Sequence, residues 1–289
     1  MNGFVILDKS EGMTSFRASS FLRRIYGEKK TGHTGTLDPM ATGVLPVAIG
    51  RATRFIDFLP QTDKGYEARM RFGLTTDTLD ITGKVISEAP ADITLDDING
   101  VLPAFTGDIM QMPPMFSALS VGGKRLYELA RKGEEIEREK RPVTVYEITA
   151  AEAENGEFKL TVHCSKGTYI RSLIADIGES LGCGACMTAL RRTLSNGFTL
   201  SDAHTEEELK QLAPGGVLPV DAPFGGFPGV SLSKAQSVRF RNGGELFTQR
   251  VNGAEQTGLY RVYSNEGEFL GLGEVSAEEK ELIKARRVI

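Results

Sequence analysis

The stretch from Thr31 to Leu45 carries the residues whose types and spacing could do chemistry. Its glycine, threonine and proline content fits neither a helix nor an alternating strand, so we predict a loop over its whole length. The glycines let the backbone approach a ligand closely, and Pro39 keeps Asp38 out of the α conformation, which fixes the carboxylate on a defined turn. An isolated Asp-Pro pair is most simply a turn starter. A fixed carboxylate can also act as a nucleophile, provided that it stays ionised.

Clear helical and strand periodicities flank this loop. Residues 14–27 have the cap, the apolar spacing and the terminal glycine of a helix. Apolar residues alternate with polar ones over 66–72 and 158–164, which is typical of half-buried strands. Over 170–181 apolar residues return at helical spacing. These elements predict a mixed α/β (α+β) body and exclude an all-β fold or a helical bundle.

Composition places the chain among ordinary globular proteins. Its 289 residues are 40% hydrophobic and 25% charged, which excludes collagen-like, disordered and disulfide-scaffold classes. With three cysteines and no secretory signal pattern, we expect a cytoplasmic protein. The apolar run at 44–49 is far shorter than the ~20 residues of a membrane helix, so no membrane partner is expected.

The charge is distributed unevenly along the chain. The formal net charge is −4, which by itself argues against a polyanionic partner. Residues 1–54, however, carry eight basic and four acidic side chains. The N-terminal segment is therefore a candidate anion-binding surface, and binding should weaken with salt less steeply than for a strongly basic protein.

Several motifs together resemble one enzyme family. Gly32–Leu45 (GHTGTLDPMATGVL) resembles the catalytic signature of the TruB family of RNA pseudouridine synthases. Four further segments resemble the family's other motifs in the same order along the chain: Leu7–Lys9 with Gly12–Ser15, Lys64–Tyr66, Lys166–Ser172 and Leu190–Arg192. The resemblance covers essentially the whole chain.

The resemblance implies that one uridine in RNA is isomerised without a cofactor or a metal. The glycosidic bond is cut, and the uracil is turned and rejoined through carbon. Asp38 would be the nucleophile, and Arg171 could supply the positive neighbour that keeps it ionised. Arg171 falls in the first turn of the predicted helix, where its charge opposes the helix dipole, so we expect its partner to lie elsewhere in the fold. Attack on the sugar, attack on the base and elimination through a glycal all remain open.

The resemblance also assigns substrate-binding roles. Tyr66 would stack on the target base, although its position on a strand also fits an ordinary core tyrosine. Tyr169 and Leu190 would line the same pocket. His33 would take the place in the RNA of the flipped nucleotide, because the chemistry cannot reach a stacked base. Lys9 would support the pocket, even though Ser10 stands where the family usually has proline.

The predicted domain division follows composition. Residues 212–229 contain four prolines and five glycines, which marks a boundary. We expect a catalytic domain over 1–225, with the family's central mixed, mainly antiparallel sheet. Residues 230–289 contain short strands and two Asn-Gly pairs typical of hairpins, and we expect a small β domain resembling PUA.

The favoured function is conversion of uridine 55 in the T-loop of tRNA. The partner would be the tRNA T-loop and stem, bound by a monomer without guide RNA. A non-catalytic RNA-binding protein or folding chaperone, and a guide-RNA-dependent synthase, are the alternatives. A zinc site at Cys183 and Cys186 with His163 and Cys164 is disfavoured, because neighbours on a strand point to opposite faces.

Overall fold

A large sheet organises most of the chain, and a smaller sheet organises its C-terminal part. The computed structural model describes residues 1–60, 63–117, 119–121, 123–130, 132–134 and 136–289. The helices are α1 (Ser15–Ile25), α2 (Leu95–Val101), α3 (Leu126–Ala130), α4 (Ile170–Ser180), α5 (Glu206–Leu212) and α6 (Lys234–Arg241). The strands are β1 (Gly3–Lys9), β2 (Thr31–His33), β3 (Thr42–Ile49), β4 (Lys64–Phe72), β5 (Leu74–Thr76), β6 (Val85–Glu88), β7 (Gly107–Gln111), β8 (Ser120–Val121), β9 (Lys124–Arg125), β10 (Arg141–Glu152), β11 (Phe158–Cys164), β12 (Ala185–Ser195), β13 (Phe198–Thr199), β14 (Gly229–Leu232), β15 (Leu246–Phe247), β16 (Gly258–Ser264), β17 (Phe269–Val275) and β18 (Leu282–Val288).

The large sheet is mixed and mainly antiparallel, as expected. Its strand order is β1-β3-β12-β4-β11-β10-β7, with β2 paired to β3 and β13 to β12. The pairing of β3 with β12 is parallel, and the other pairings are antiparallel. This arrangement brings the segments before β3, at the start of β4 and within β12 together in the middle of the sheet.

One face of the large sheet packs against helices. The predicted helix and the predicted alternating strand both exist, as α4 and β4, and their apolar sides share one core. The residues of this shared core are Tyr66, Ala68, Met70, Phe72, Ile170, Leu173, Ile174 and Ile177. Complete burial of each aliphatic side chain contributes about 1.5–3 kcal/mol. The packing therefore fixes α4, and with it the residues at its N-terminus, against the sheet.

Helix α1 begins and ends as its sequence predicts. The Thr14 hydroxyl accepts a hydrogen bond from the Arg17 amide at 3.1 Å, and Gly27 follows the helix with a φ of +64°. Beyond the helix, the Thr31 hydroxyl donates to the Ser19 carbonyl at 3.1 Å. This hydrogen bond ties the start of the glycine-rich segment to α1.

The prediction of a continuous loop over 31–45 is wrong at both ends. Residues 31–33 form β2, and β3 begins at Thr42, so the loop is confined to 34–41. The reason is tertiary: one edge of β3 pairs with β1, and the other edge pairs with β12 at Thr42 and Gly43 and with β2 over Val47–Ile49. Sheet hydrogen bonds here outweigh the weak strand preference of glycine and proline.

The C-terminal sheet has the order β14-β16-β17-β18-β15. It confirms the strands predicted near 258–262, 269–273 and 282–285. Asn242-Gly243 does not form the expected hairpin, because it ends α6, where the Asn242 side chain donates to the Val238 carbonyl at 2.9 Å. The helix itself begins with a capping box, Ser233 to Gln236, which the sequence interpretation missed.

The second Asn-Gly pair, at 252–253, also joins no hairpin. It lies between β15 and β16, which occupy separate positions in the C-terminal sheet and are not neighbours. The PUA resemblance and the division of the chain between 225 and 230 stay predictions.

The two sheets share an apolar interface. Phe55, beside β3, lies 5.8 Å from Phe269 of β17, measured between ring centroids. Close by, the Tyr263 hydroxyl donates to Asp221 at 2.6 Å. The C-terminal sheet is thereby held against the edge of the large sheet. Within the described part of the chain, no helix is long and apolar enough to cross a bilayer.

Gly43 is expected to be essential for the joining of β3 to β12. It has a φ of +99°, and an added Cβ would lie 2.2 Å from the carbonyl oxygen of Arg192. We predict that Gly43→Ala lowers the free energy of unfolding by about 3 kcal/mol in denaturant titration. Gly182→Ala is the control, since it has a φ of +74° and no neighbour within 4 Å, and it should cost only about 1 kcal/mol. Equal losses of stability would show that the close approach to Arg192 is unimportant.

Candidate active site

A cavity of about 430 Å³ opens where the loop over 34–41 meets β4, β12 and the N-terminus of α4. Four of the residues predicted from sequence line it together with Asp38. The lining residues include Thr34, Gly35, Thr36, Leu37, Asp38, Lys64, Tyr66, Lys166, Tyr169, Arg171, Leu190 and Arg192. The fold thus brings motifs that are far apart in sequence to one site.

Asp38 and Arg171 form an ion pair in this cavity. Arg171 Nη2 lies 3.1 Å from Asp38 Oδ2. The arginine side chain is only 6% exposed, whereas that of Asp38 is 33% exposed. The guanidinium also donates to the carbonyls of Phe116, at 2.7 Å, and Thr78, at 3.0 Å. Arg171 is therefore immobilised at the base of the cavity, and it presents one nitrogen to a carboxylate that a substrate can still reach.

A second carboxylate, missed from the sequence, also faces Arg171. Asp80 Oδ2 lies 3.5 Å from Arg171 Nη1, and its side chain is 5% exposed. Its other oxygen accepts from the hydroxyls of Thr78, at 2.9 Å, and Thr82, at 2.5 Å. The segment reads as a polar turn in the sequence, and in the fold a bridge to Met187 attaches it to β12. No period or motif distinguishes Asp80 from a surface turn residue.

Burial and three charged neighbours act on the pKa of Asp38. Burial raises it above its ordinary value and is the largest cause; Arg171 and, more weakly, Lys9 lower it, while Asp80 raises it. The net shift is upward. The arginine therefore counteracts desolvation and favours the ionised form that a nucleophile needs.

Arg192 is a further residue that the sequence interpretation did not single out. It is 1% exposed. Its guanidinium donates to the Val44 carbonyl at 2.7 Å. The carbonyls of Thr36 and Gly35 lie at the limit of hydrogen bonding, at 3.4 and 3.5 Å. Arg192 therefore holds the loop over 34–41 through backbone carbonyl oxygens. It also stands directly opposite Tyr66 in the pairing of β12 with β4.

Tyr66 is both a core residue and a cavity residue. It is 8% exposed, and its ring forms part of the apolar core and of the cavity wall. Burial raises the pKa of its hydroxyl, whereas the charge of Arg192 and a hydrogen bond with that side chain oppose the shift. Tyr66 therefore belongs to the core and also lines the cavity, and its stacking on a target base stays a prediction.

Lys9 anchors one end of the loop. Its Nζ donates to the carbonyls of Ser10, at 2.9 Å, Met13, at 2.7 Å, and Pro39, at 3.2 Å. It lies beneath the loop rather than in the cavity, so it supports Asp38 through Pro39. The bond to the Ser10 carbonyl stabilises the turn that the family usually makes with proline. Burial lowers the pKa of Lys9 to about 8.

Lys64 anchors the other side of the loop. Its ammonium donates to Ser195 at 3.0 Å and to Asn196 at 3.1 Å, and Asn196 in turn accepts from the Thr34 hydroxyl at 2.7 Å. Burial lowers the pKa of Lys64 to about 8. The resemblance assigns Lys9 a supporting role, whereas it includes Lys64 only as part of the motif Lys64–Tyr66.

Tyr169 and Leu190 both line the cavity. Gln111 accepts from the Tyr169 amide at 2.7 Å and donates to the Tyr169 carbonyl at 3.0 Å. This pair of hydrogen bonds fixes the backbone just before α4. Leu190 is 8% exposed and forms part of the apolar wall.

His33 lies beside the cavity and not in it. It lines a neighbouring hollow with Phe16 and Arg23, next to the first loop residue, Thr34. Burial lowers the pKa of the imidazole, and the charge of Arg192 adds to this shift. Both effects favour the neutral form of the ring, which lies at the rim of the cavity.

The three cysteines and His163 do not line the cavity. Cys164 is buried on β11, where its thiol donates to the Lys64 carbonyl at 3.7 Å. Across the residues that the structure describes, no three His, Cys, Asp or Glu side chains are grouped closely enough to hold a metal ion.

Family models match nearly the whole chain. Residues 23–170 match the N-terminal domain of TruB family pseudouridylate synthases. Residues 171–214 match a tRNA pseudouridylate synthase B C-terminal domain, and 228–289 match the TruB C-terminal domain of pseudouridine synthase II. The chain belongs to the TruB family.

Relatives of this TruB family member agree with the assignment. The chain is 41% identical to tRNA pseudouridine synthase B of Escherichia coli strain K12 over 304 aligned positions, covering 100% of this chain and 95% of that protein. The same figures hold for the protein of that name from Shigella flexneri serotype 5b. The protein is accordingly a pseudouridine synthase, which is an isomerase.

Solved structures share the fold of this TruB family member. A Cbf5-Nop10-Gar1 complex contains a chain with a TM-score of 0.74 and 28% identity, matching 99% of this chain and 84% of that one. A chain in an H/ACA RNP bound to a substrate RNA has a TM-score of 0.72 and 26% identity, matching 99% and 84% respectively. The mixed α/β fold with a C-terminal β domain is confirmed.

Arg171 and Asp80, the oppositely charged neighbours of Asp38, should move the pH profile in opposite directions when they are neutralised. As the predicted nucleophile, Asp38 would have to be ionised to react, so the rate should fall as the pH drops through its pKa. Arg171→Gln removes the charge that lowers this pKa, so the acid limb of kcat should move to higher pH. Asp80→Asn removes the charge that raises it, so the limb should move to lower pH.

The measurement is pseudouridine formation at saturating RNA across the acid range. Arg191→Gln is the control, because Arg191 pairs with Asp8 at 2.7 Å and does not face Asp38. It should leave the limb in place. Shifts of the same sign in both test variants would contradict this account of the site.

Proposed function

We propose that this protein converts uridine 55 of the tRNA T-loop to pseudouridine, with Asp38 as the nucleophile and the target base flipped into the cavity. The observation that carries the proposal is the Asp38–Arg171 ion pair, placed beside the Tyr66 ring in a recessed cavity. The names of the relatives, tRNA pseudouridine synthase B, support tRNA as the substrate. The T-loop position rests on the resemblance of the motifs.

The reaction needs a carboxylate and a place for the uracil to turn. The bond between N1 and C1′ breaks, a bond between C5 and C1′ forms, and a proton is lost from C5 while one is gained at N1. Atoms and electrons balance without an external reactant. Asp38 supplies the nucleophile, Arg171 favours its ionised form, and the cavity of about 430 Å³ holds the detached base.

Tyr66 and the apolar wall would hold the base during this turn. A flat aromatic ring binds any orientation of the uracil by stacking, whereas fixed hydrogen bonds would resist rotation. Tyr169 and Leu190 complete an apolar wall around the ring. The combination suits a base that must stay bound while its glycosidic bond is open.

Base flipping follows from the depth of the site. Arg171 and Tyr66 are 5% and 8% exposed, so a base within a helical stack cannot reach them. His33, at the cavity rim, is placed to fill the gap that the flipped nucleotide leaves. In its neutral form, the ring can stack between bases without burying a charge.

Loss of the nucleophile is the direct test. Asp38→Asn should lower the rate of pseudouridine formation on transcribed tRNA by at least about 10⁴-fold, because the amide cannot attack. Affinity for the tRNA should persist. Asp57→Asn, which changes an exposed aspartate outside the cavity, is the matched control and should keep full activity.

The assay contains tRNA and this protein only, so it also separates the alternatives. Conversion of bare tRNA by the wild type excludes a guide-RNA-dependent enzyme. An Asp38→Asn protein with wild-type activity would disprove the nucleophile. Binding without conversion by the wild type would favour a folding chaperone.

Two substitutions test the ring and the hydroxyl of Tyr66 separately. Tyr66→Phe keeps the ring, so affinity for T-arm RNA should stay near the wild-type value. Tyr66→Leu preserves apolar packing but removes the stacking surface, and it should weaken binding by about 1–3 kcal/mol. Equal affinities for the two variants, measured by fluorescence titration, would contradict stacking.

A further inference from the structure

A basic groove runs along the side of the large sheet next to the cavity. It consists of two adjoining hollows of about 540 and 490 Å³, formed by α1, β2 and the 3-10 helix Gly50–Phe58. The hollows share Lys29, Lys30 and Thr53. We define the basic groove by its cations: Arg23, Lys29, Lys30, Arg51 and Arg54.

These five cations are exposed and have no carboxylate partner within the residues that the structure describes. The acidic side chain that lines the groove, Glu28, is bound to the N-terminal amine of Met1. A concentration of unpaired positive charge is unfavourable unless an anion shares it. The groove therefore has the charge of an anion-binding surface on a protein whose net charge is −4.

Interaction with the dipole of α1 explains the position of only one of these five cations. Arg23 lies in the last turn of α1, where a cation complements the helix dipole. Lys29 and Lys30 come after the helix, and Arg51 and Arg54 belong to a different element. No single helix end explains why these four cations, the two lysines and the two arginines of the 3-10 helix, lie together.

The basic groove adjoins the cavity. His33 lines the groove, and the next residue, Thr34, lines the cavity. The charge of Arg192, inside the cavity, is close enough to affect the pKa of His33. An RNA strand with one nucleotide in the cavity would pass His33 and enter the groove.

The groove also presents an aromatic surface. Phe16, at its edge on α1, is 74% exposed. An exposed phenylalanine among unpaired cations is costly in water, but it is typical of surfaces that bind nucleic acids by stacking and by phosphate contacts.

We propose that the basic groove binds the backbone phosphates of the RNA strand that leads away from the flipped nucleotide. This inference rests on the proposed function, because it takes the cavity as the site of the target base. The groove fixes the direction of the strand, and His33 marks the point where the base leaves it.

The test compares two triple variants in which the same amount of positive charge is removed. The groove variant is Lys29→Gln, Lys30→Gln and Arg54→Gln. The control is Arg69→Gln, Arg71→Gln and Lys159→Gln, which are exposed cations on the solvent face of the large sheet, each near a glutamate. Both are made in Asp38→Asn protein, so that a T-arm hairpin RNA is not converted while its Kd is measured against salt.

The groove variant should bind more weakly, and the slope of log Kd against log salt should fall by about 1 for each phosphate that the groove no longer neutralises. The control should keep the slope of its parent. Parental affinity and slope in the groove variant, or equal weakening in both variants, would overturn the proposal, since net charge alone would then explain the effect. Thermal unfolding verifies that both variants are folded.

Activity of the unmodified protein separates this inference from the proposed function. If the wild type converts the hairpin and the groove variant binds like its parent, the groove assignment is wrong and the function stands. If the wild type converts no RNA, the proposed function fails whatever the slopes are.

Discussion

The site depends on one buried guanidinium shared by two carboxylates. Arg171 lies 3.1 Å from Asp38 and 3.5 Å from Asp80, and the same two terminal nitrogens also donate to the carbonyls of Phe116 and Thr78. Burying an arginine is costly unless its donors are satisfied, and here the protein satisfies them from elements that only the complete fold brings together. The same guanidinium lowers the pKa of Asp38 and so opposes the larger effect of burial, which raises it. Stability and reactivity thus depend on the same interactions.

Carbonyl oxygens, rather than carboxylates, hold the loop that carries Asp38. Lys9 binds carbonyls from one side and Arg192 from the other, and both side chains are almost completely buried. A carboxylate partner would neutralise these cations, whereas carbonyl dipoles satisfy their hydrogen bonds and leave their charge in place. The charge of Lys9 lowers the pKa of Asp38, and that of Arg192 lowers the pKa of His33. The loop is rigid and its surroundings stay electropositive, which suits a site for an anionic substrate.

Local charge matters more than net charge for this protein. The chain is acidic as a whole, yet its unpaired cations converge beside the cavity. At physiological ionic strength, charges farther apart than about 8 Å are largely screened. A nearby phosphate therefore responds to the groove and not to the acidic remainder of the chain. The N-terminal excess of basic residues, visible in the sequence, becomes a surface only when α1, β2 and the 3-10 helix are brought together.

The sequence by itself determined the helix α4 and the strands β4 and β11, because periodicity is a local property. The resemblance of its motifs to the TruB family implied that Asp38, Tyr66, Tyr169, Arg171 and Leu190 share one site. Tertiary structure decided the rest. Strands β2 and β3 form because neighbouring strands supply backbone hydrogen bonds. These bonds outweigh the weak strand preference of glycine and proline. Burial against segments far away in sequence makes three further residues part of the site: Asp80, Lys64 and Arg192. Strand β2 places His33 at the rim of the cavity. Burial and charge pairing arise from the packing of distant segments, which no local pattern encodes.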